Sequence, residues 1–247
     1  MIPYILCIES ATKRCSVALL HGAEVVASRE SVDGNHNANL SIFASELMAL
    51  IPDERRLDAI AVGDGPGSYT GLRISASLAK GLAFSLNIPL ISVSSLKILS
   101  ESIRKEHPDL PKGYAIVPML DARRMEVYSA VYTEHEEGTS KSFVMDREED
   151  INKFQRLVAG SSVILYGGDG AGKIYPLFNN LFGSKAIYVE AARLHAESMA
   201  PIVMKSWEEK CFVDLAYWTP DYLKEYAAVI TSNKVIGTKP NSLSSDA

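Results

Sequence analysis

Cysteine, histidine and basic charge are all in short supply in this sequence, and each shortage excludes something. The three cysteines, Cys7, Cys15 and Cys211, form no Cys-x-x-Cys and cannot all pair, which suits a reducing compartment. The five histidines, His21, His36, His107, His135 and His195, include no two that lie three or four residues apart. No helix face therefore offers a histidine pair to a metal, and no metal site is expected. No Gly-x-Ser-x-Gly occurs, so a nucleophile elbow is missing and no catalytic residue is assigned. The formal net charge of -5 argues against a dedicated nucleic-acid clamp, which needs a basic face. No run of ~18 apolar residues exists, so no membrane span is expected. The start has no basic n-region and Glu9 interrupts its apolar run, so no signal peptide is expected and the cytoplasm is the expected location.

What is present is apolar: 47% of 247 residues, enough core for one large domain or two small lobes. Residues 4–9, 16–20 and 24–29 read as strands, 35–50 as a helix ending before Pro52, and 57–62 as a buried strand. A helix over 70–86, a strand over 90–93 and a helix over 94–105 follow. The second half repeats that order. Strands are expected at 115–120, 126–132 and 141–145, a helix at 148–158, a strand at 162–166, a short helix at 172–181, a strand at 186–189 and a helix at 191–210. Residues 107–113, with two prolines and a glycine, read as the join. The expected architecture is an α/β protein of two lobes with a duplicated βββαβαβα order. The lobes are placed at 1–106 and 107–226, with a cleft between them. The second is smaller, and its C-terminal helix is free to pack back on the first. Residues 227–247, rich in Ser, Asn, Gly and Lys, read as a mobile tail.

The stretch from Gly63 to Arg73 organises the chain. A strand runs into three glycines and a proline, and a helix capped by Ser68 runs out. Two readings fit. Gly65, Gly67 and Ser68 face an anion at the helix N-terminus, or the glycines form a corner that lets the helix lie close to the sheet. The helix itself lacks a broad polar face. Leu72, Ala76, Ala79, Ala83 and Leu86 share one side, while Ile74, Leu78 and Leu82 occupy another. Arg73 and Lys80 lie on one narrow stripe beside Ser77 and Phe84. In the helix over 35–50, Leu40, Phe43, Leu47 and Leu50 form a core stripe, and the opposite face, Ala38, Ile42, Ser45 and Ala49, carries no charge. Two neighbouring helices of this kind suggest a helical interface, with Gly71, Arg73, Ile74, Ser77 and Leu78 as its residues on the second helix. Burial inside the lobe is the alternative.

Three other places resemble chemistry. Gly167 to Ile174 approaches the phosphate loop G-x-x-x-x-G-K-[ST], but Ile174 stands where a Mg²⁺-binding hydroxyl is required. Gly168 and Gly170 are its candidate nucleotide-facing residues. The first hairpin, Ile8 to Arg14, has Glu9 and Ala11 where two-lobe ATPases have Asp and Gly, and that bulk hinders a phosphate. Asp121-Ala122-Arg123-Arg124 reads as an acid/base site or as a salt-bridged turn.

These motifs resemble the TsaB (YeaZ) family. The resemblance is carried by residues 5–12 with 15–19, by Gly65-Pro66-Gly67-Ser68-Tyr69-Thr70-Gly71-Leu72-Arg73-Ile74, by residues 79–83 and 93–96, by Asp121-Ala122-Arg123 with Glu126-Val127-Tyr128, and by Pro220-Asp221-Tyr222-Leu223-Lys224. Lys224 departs from the usual Arg. The resemblance implies an actin-like (ASKHA, RNase H-like) two-lobe fold and a part in making threonylcarbamoyladenosine beside the tRNA anticodon. It implies a non-catalytic scaffold that holds a TsaD-like protein as a heterodimer and is joined by a TsaE-like ATPase. It also implies that tRNA is met through the complex, that ATP or ADP and a metal belong to that complex and not to this chain alone, and that the chain alone is a homodimer. The alternative is a metal- or ATP-dependent transferase or hydrolase of the same fold acting by itself.

Overall fold

The computed structural model describes residues 2–134, 138 and 141–223. In chain order the elements are β1 (Tyr4–Glu9), β2 (Cys15–His21), β3 (Glu24–Ser31), α1 (His36–Met48), β4 (Ala59–Gly63), α2 (Tyr69–Leu86), β5 (Leu90–Val93) and α3 (Ser95–Glu106). They are followed by β6 (Tyr114–Asp121), β7 (Glu126–Ser129), β8 (Lys141–Val144), α4 (Glu148–Leu157), β9 (Val163–Gly167), α5 (Tyr175–Phe182), β10 (Ala186–Tyr188) and α6 (Ala200–Glu208).

The strands form two sheets of five, in the orders β3-β2-β1-β4-β5 and β10-β9-β6-β7-β8. Read from its other end, the second sheet has the order of the first. In each, the first three strands are antiparallel, and the last two run parallel to the first strand. The central strand β1, YILCIE, is buried on both faces, which is why it reads as an apolar run rather than an alternation. The edge strand β3 is partly exposed and carries Glu24, Arg29 and Glu30, charges that discourage edge pairing. The two-lobe actin-like α/β fold follows from this duplicated topology.

Two expected elements differ. Residues 126–132 do not form one strand: β7 stops at Ser129, and Tyr132 returns only as an isolated bridge to Ile116. The cause is Pro118 in the central strand β6, which has no N–H to give the ladder. Ser129 Oγ donates instead to the Pro118 carbonyl, at 2.8 Å. The helix expected over 191–210 begins only at Ala200. Pro201 is confined to a first helical turn. The residues before it are tied elsewhere: the Ala196 N–H donates to Ser16 Oγ on β2 at 2.9 Å. The expected tail at 227–247, and Lys224, lie outside the described residues. No described helix is long and apolar enough to cross a membrane.

Each half has a core of its own, Leu6, Leu40 and Leu47 among the first half's residues, and a further core is shared between them. One cluster joins Ile5, Cys7 and Ile91 from the first sheet to Ile116, Leu120 and Leu165 from the second, with Leu96 and Leu99 of α3 between them. Helix α3 packs on β6, whereas α6 and the turn before it pack back on the first sheet. A separate core lies beyond the second sheet, where Phe154 meets Phe143 at 5.5 Å and Phe178 at 5.2 Å between ring centroids. Phe154→Ala should lower stability by about 3–5 kcal/mol. In urea denaturation the midpoint should fall with the slope unchanged, and a shift under ~1 kcal/mol would contradict this packing.

Candidate functional site: an apolar helix face beside a closed phosphate corner

At the end of β1 the Glu9 carboxylate turns back on its own chain. One oxygen accepts the N–H groups of Ser10 and Ala11, each at 2.7 Å, and the other accepts the Ser95 hydroxyl at 3.2 Å. Glu9 therefore takes the two turn N–H groups that a bound anion would otherwise use. The glycine stretch lies directly on the hairpin. The Ser68 N–H donates to the Ala11 carbonyl at 2.6 Å, and a Cβ on Gly67 would collide with that same carbonyl. Gly65 has φ +108, and a Cβ there would lie 2.7 Å from the Asp221 carbonyl. Ser68 caps α2 as expected, accepting the Gly71 N–H at 3.3 Å. Gly65 and Gly67 therefore pack against protein backbone, while Ser68 is exposed, and the glycine corner serves close packing.

Burial pushes the Glu9 carboxyl up to about 7, against its backbone and Ser95 donors, and Asp64 nearby adds to the rise. Burial likewise pushes Asp64 up to about 6, with the Ser92 hydroxyl opposing and Asp221 assisting. Among the described residues, no three His, Cys, Asp or Glu side chains are arranged to hold a metal ion.

The second glycine stretch is closed in the same way. Gly168 has φ +112 and abuts the Met119 carbonyl, and Gly170 abuts the Leu120 backbone. Lys173, at the position of a phosphate-loop lysine, donates to the Asp121 carboxylate at 2.6 Å and to the Glu126 carbonyl at 2.7 Å. Asp121 also accepts the Arg123 N–H at 2.7 Å, so the Asp121 to Arg124 segment is a salt-bridged turn. Burial alone would raise the Asp121 carboxyl, but Lys173 and the Arg123 N–H hold it below the usual range.

The open feature is the α1–α2 pair. Helix α1 buries His36, Leu40, Ala44 and Leu47, and α2 buries Leu72, Ser75, Ala76, Ala79 and Ala83. The candidate residues Ala38, Ile42, Ser45 and Ala49 are all exposed, Ile42 at 53%. Arg73 and Ser77 are exposed, and Ile74 and Leu78 are half-buried; all four line a groove of about 600 Å³ between the helices. Gly71 is the exception among the expected interface residues. It is buried, its carbonyl accepts the Ser10 hydroxyl at 2.8 Å, and a Cβ there would collide with the Ser10 carbonyl. It serves the docking of α2 on the hairpin, not a partner.

Sequence reasoning missed Asn37, Ser41, Tyr69 and Thr70, which complete the groove. It also passed over Phe84, which is 80% exposed. An aromatic ring on the one charged stripe of α2 was the available signal. The charges of the pair are drawn aside. Glu46 bonds Arg29 at 2.9 Å, and Lys80 reaches the Trp218 carbonyl at 3.1 Å. Arg73 stacks 4.9 Å over the Tyr69 ring.

Comparison with known proteins supplies relatives. A family model described as TsaD: tRNA N6-adenosine threonylcarbamoyltransferase matches residues 24–164. The chain is 30% identical over 225 residues to the tRNA threonylcarbamoyladenosine biosynthesis protein TsaB of Bacillus subtilis, covering 89% of this chain and 93% of that protein. It is 28% identical over 228 residues to TsaB of Escherichia coli, covering 91% and 96%. Among solved structures, YeaZ from Pseudomonas aeruginosa superposes with a TM-score of 0.71 at 27% identity, covering 90% of this chain and all of that one.

The buried carboxyls make a pH prediction. A carboxyl whose folded-state pKa is raised favours folding in its protonated form. Its stabilisation is complete below the ordinary 4.5 and is lost as pH rises through about 7. Glu9→Gln removes that loss, so its stability should gain on wild type by at most about 3 kcal/mol across this window. Urea denaturation of both proteins between about pH 5 and pH 8 checks it, and parallel pH profiles would refute it.

Proposed function

The chain belongs to the TsaB (YeaZ) family and takes part in tRNA threonylcarbamoyladenosine biosynthesis, and from that premise we propose that it is a non-catalytic scaffold. Its partner is a TsaD-like protein, which performs the threonylcarbamoyl transfer, and a TsaE-like ATPase joins the two. ATP or ADP and a metal belong to the complex and not to this chain alone, and tRNA is met through the complex. The observation that carries this reading is the exposed apolar face of α1 and α2, with Ile42, Phe84 and the groove of about 600 Å³. Exposed apolar surface rimmed by polar groups is what a docking partner removes from water. The reading as an independent ATP-dependent enzyme finds no support at the hairpin, where Glu9 takes the two turn N–H groups.

Helix packing supplies the geometry of the proposal. Two helices with small residues at Ala38, Ser45, Ala49, Ser77 and Gly81 let a second pair approach closely, giving a four-helix bundle. A face that accepts a structural relative can often accept a copy, so the chain alone should form an isologous two-fold dimer.

Ile42→Arg tests both claims. The side chain points away from the buried Leu40, Ala44 and Leu47, so the protein should fold normally. An unpaired charge buried at the interface costs several kcal/mol, and each 1.4 kcal/mol is about tenfold in affinity. Sedimentation should show a monomer, and a pull-down should lose the TsaD-like protein along with tRNA modification by the reconstituted complex. Wild-type capture and dimerisation by the variant would remove this face from consideration.

A further inference from the structure

We propose that the β6–β7 turn, joined by Lys13 of the first hairpin turn, is a contact site for the phosphodiester backbone of RNA. The inference rests on the tRNA-modifying role argued above. It concerns where this subunit itself touches the nucleic acid.

The turn is unusual in its backbone. Arg123 has φ +73 and Arg124 has φ +47, two consecutive L residues in the left-handed region. Glycine holds that conformation without strain, and arginine does not. Nor do the arginine side chains hold the turn. Its shape is closed by the Ala122 N–H to the Glu126 carbonyl at 3.1 Å, the Glu126 N–H to the Arg123 carbonyl at 3.0 Å, and the Arg123 N–H to Asp121 at 2.7 Å. Both arginines are exposed, and among the described residues neither guanidinium makes a salt bridge. Two strained arginines whose side chains serve no internal contact point outward to a ligand.

A third cation joins them from the other sheet. Lys13, exposed in the turn before β2, lies near enough for its charge to act on the Asp121 carboxylate, and it too has no ion pair among the described residues. The neighbouring Arg14 is engaged with Glu30 at 3.1 Å. Of the acids around the turn, Asp121 is ion-paired with Lys173, while Asp169 accepts the Asp121 N–H and Glu126 the Ser142 hydroxyl. Arg123, Arg124 and Lys13 are thus three exposed cations from two turns with no ion pair among the described residues, on an otherwise acidic chain.

The chemistry favours a chain of phosphates over a single nucleotide. A bound polyphosphate needs backbone N–H groups in a cradle; here Glu9 takes those of Ser10 and Ala11, and the Met119 and Gly168 carbonyls take those of Gly170 and Ala171, each at 3.1 Å. Arginine forks on an open turn suit successive phosphates, which they hold without reading sequence. Three such contacts give a slope of log affinity against log salt of roughly -2 to -3, too weak for tight binding by this chain alone but a real share of a complex.

The test is the double variant Arg123→Gly/Arg124→Gly. Glycine fits both backbone conformations, so the thermal midpoint should hold or rise. Fluorescence anisotropy of labelled tRNA, titrated with the full chain bound to its TsaD-like partner at several salt concentrations, should show affinity reduced by roughly tenfold or more and the salt slope reduced by about two. Partner capture should be unchanged, because α1 and α2 pack on the first sheet. Unchanged affinity and slope would overturn the site. If the wild-type chain fails to capture the partner, the scaffold reading fails, and the same titration with the isolated chain, at low salt, still decides the site by the difference between variant and wild type. ATP at millimolar concentration should not displace the tRNA. Displacement that the variant abolishes would make this a polyphosphate site and overturn the RNA assignment.

Discussion

The fold is set by one carboxylate. Glu9, buried at the end of β1, accepts the N–H groups of the two residues that follow it. This closes the first hairpin on itself and leaves the Ala11 carbonyl outward to receive Ser68. Gly67 and Gly71 then bring the start of α2 onto that hairpin with no room for a side chain between them. The direction of α2 follows, and with it the face presented beside α1. An ionisable group held this deep is stabilised by three donors and penalised by its surroundings, and burial wins enough to push it up to about 7. The corner that could have cradled a phosphate is thereby used to position a helix.

The consequence is a protein whose internal sites are filled while its outer face is open. Lys173, the group best placed by sequence to meet a phosphate, holds the Asp121 turn instead. Lys80 and Glu46, the charges that could have made α1 and α2 ordinary surface helices, are bound to the Trp218 carbonyl and to Arg29. What remains on the outer face is largely uncharged, with Ile42 and Phe84 exposed and Arg73 stacked on Tyr69. That is costly in water for an isolated chain and favourable once covered.

Much of this was legible in sequence, for identifiable reasons. β1, β4 and β5 announce themselves as short apolar runs because both their faces are buried. The uncharged face of α1 was readable from helical periodicity, since exposure there depends only on residue spacing. Gly71 was not. Its position on the helix wheel borders the groove residues, and only the Ser10 carbonyl, 61 positions away in the chain, shows that it is buried. The late start of α6 is hidden in the sequence because apolar content outweighs Pro201, and the Ala196 to Ser16 bond that holds the preceding segment joins residues 180 positions apart. The left-handed backbone at Arg123 and Arg124 leaves no trace in composition, because arginine has no preference for it.

The shared core bears on how such a molecule can work. A two-lobe protein that opens and closes around a ligand needs a joint across which little is packed. Here α3 leaves the first sheet to pack on β6, and α6 with its preceding turn returns to the first sheet. The cluster between the sheets runs without a break from Ile5 to Leu165. Hydrogen bonds from Ala196 to Ser16 and from Asp221 to Asp64, at 2.9 and 2.7 Å, tie the end of the described chain to its beginning. Separating the two sheets would expose that cluster and break those bonds together. A helix pair held on its sheet in this way would lose little conformational freedom if a partner covered it, which is the physical advantage of a firmly packed face over a loose one.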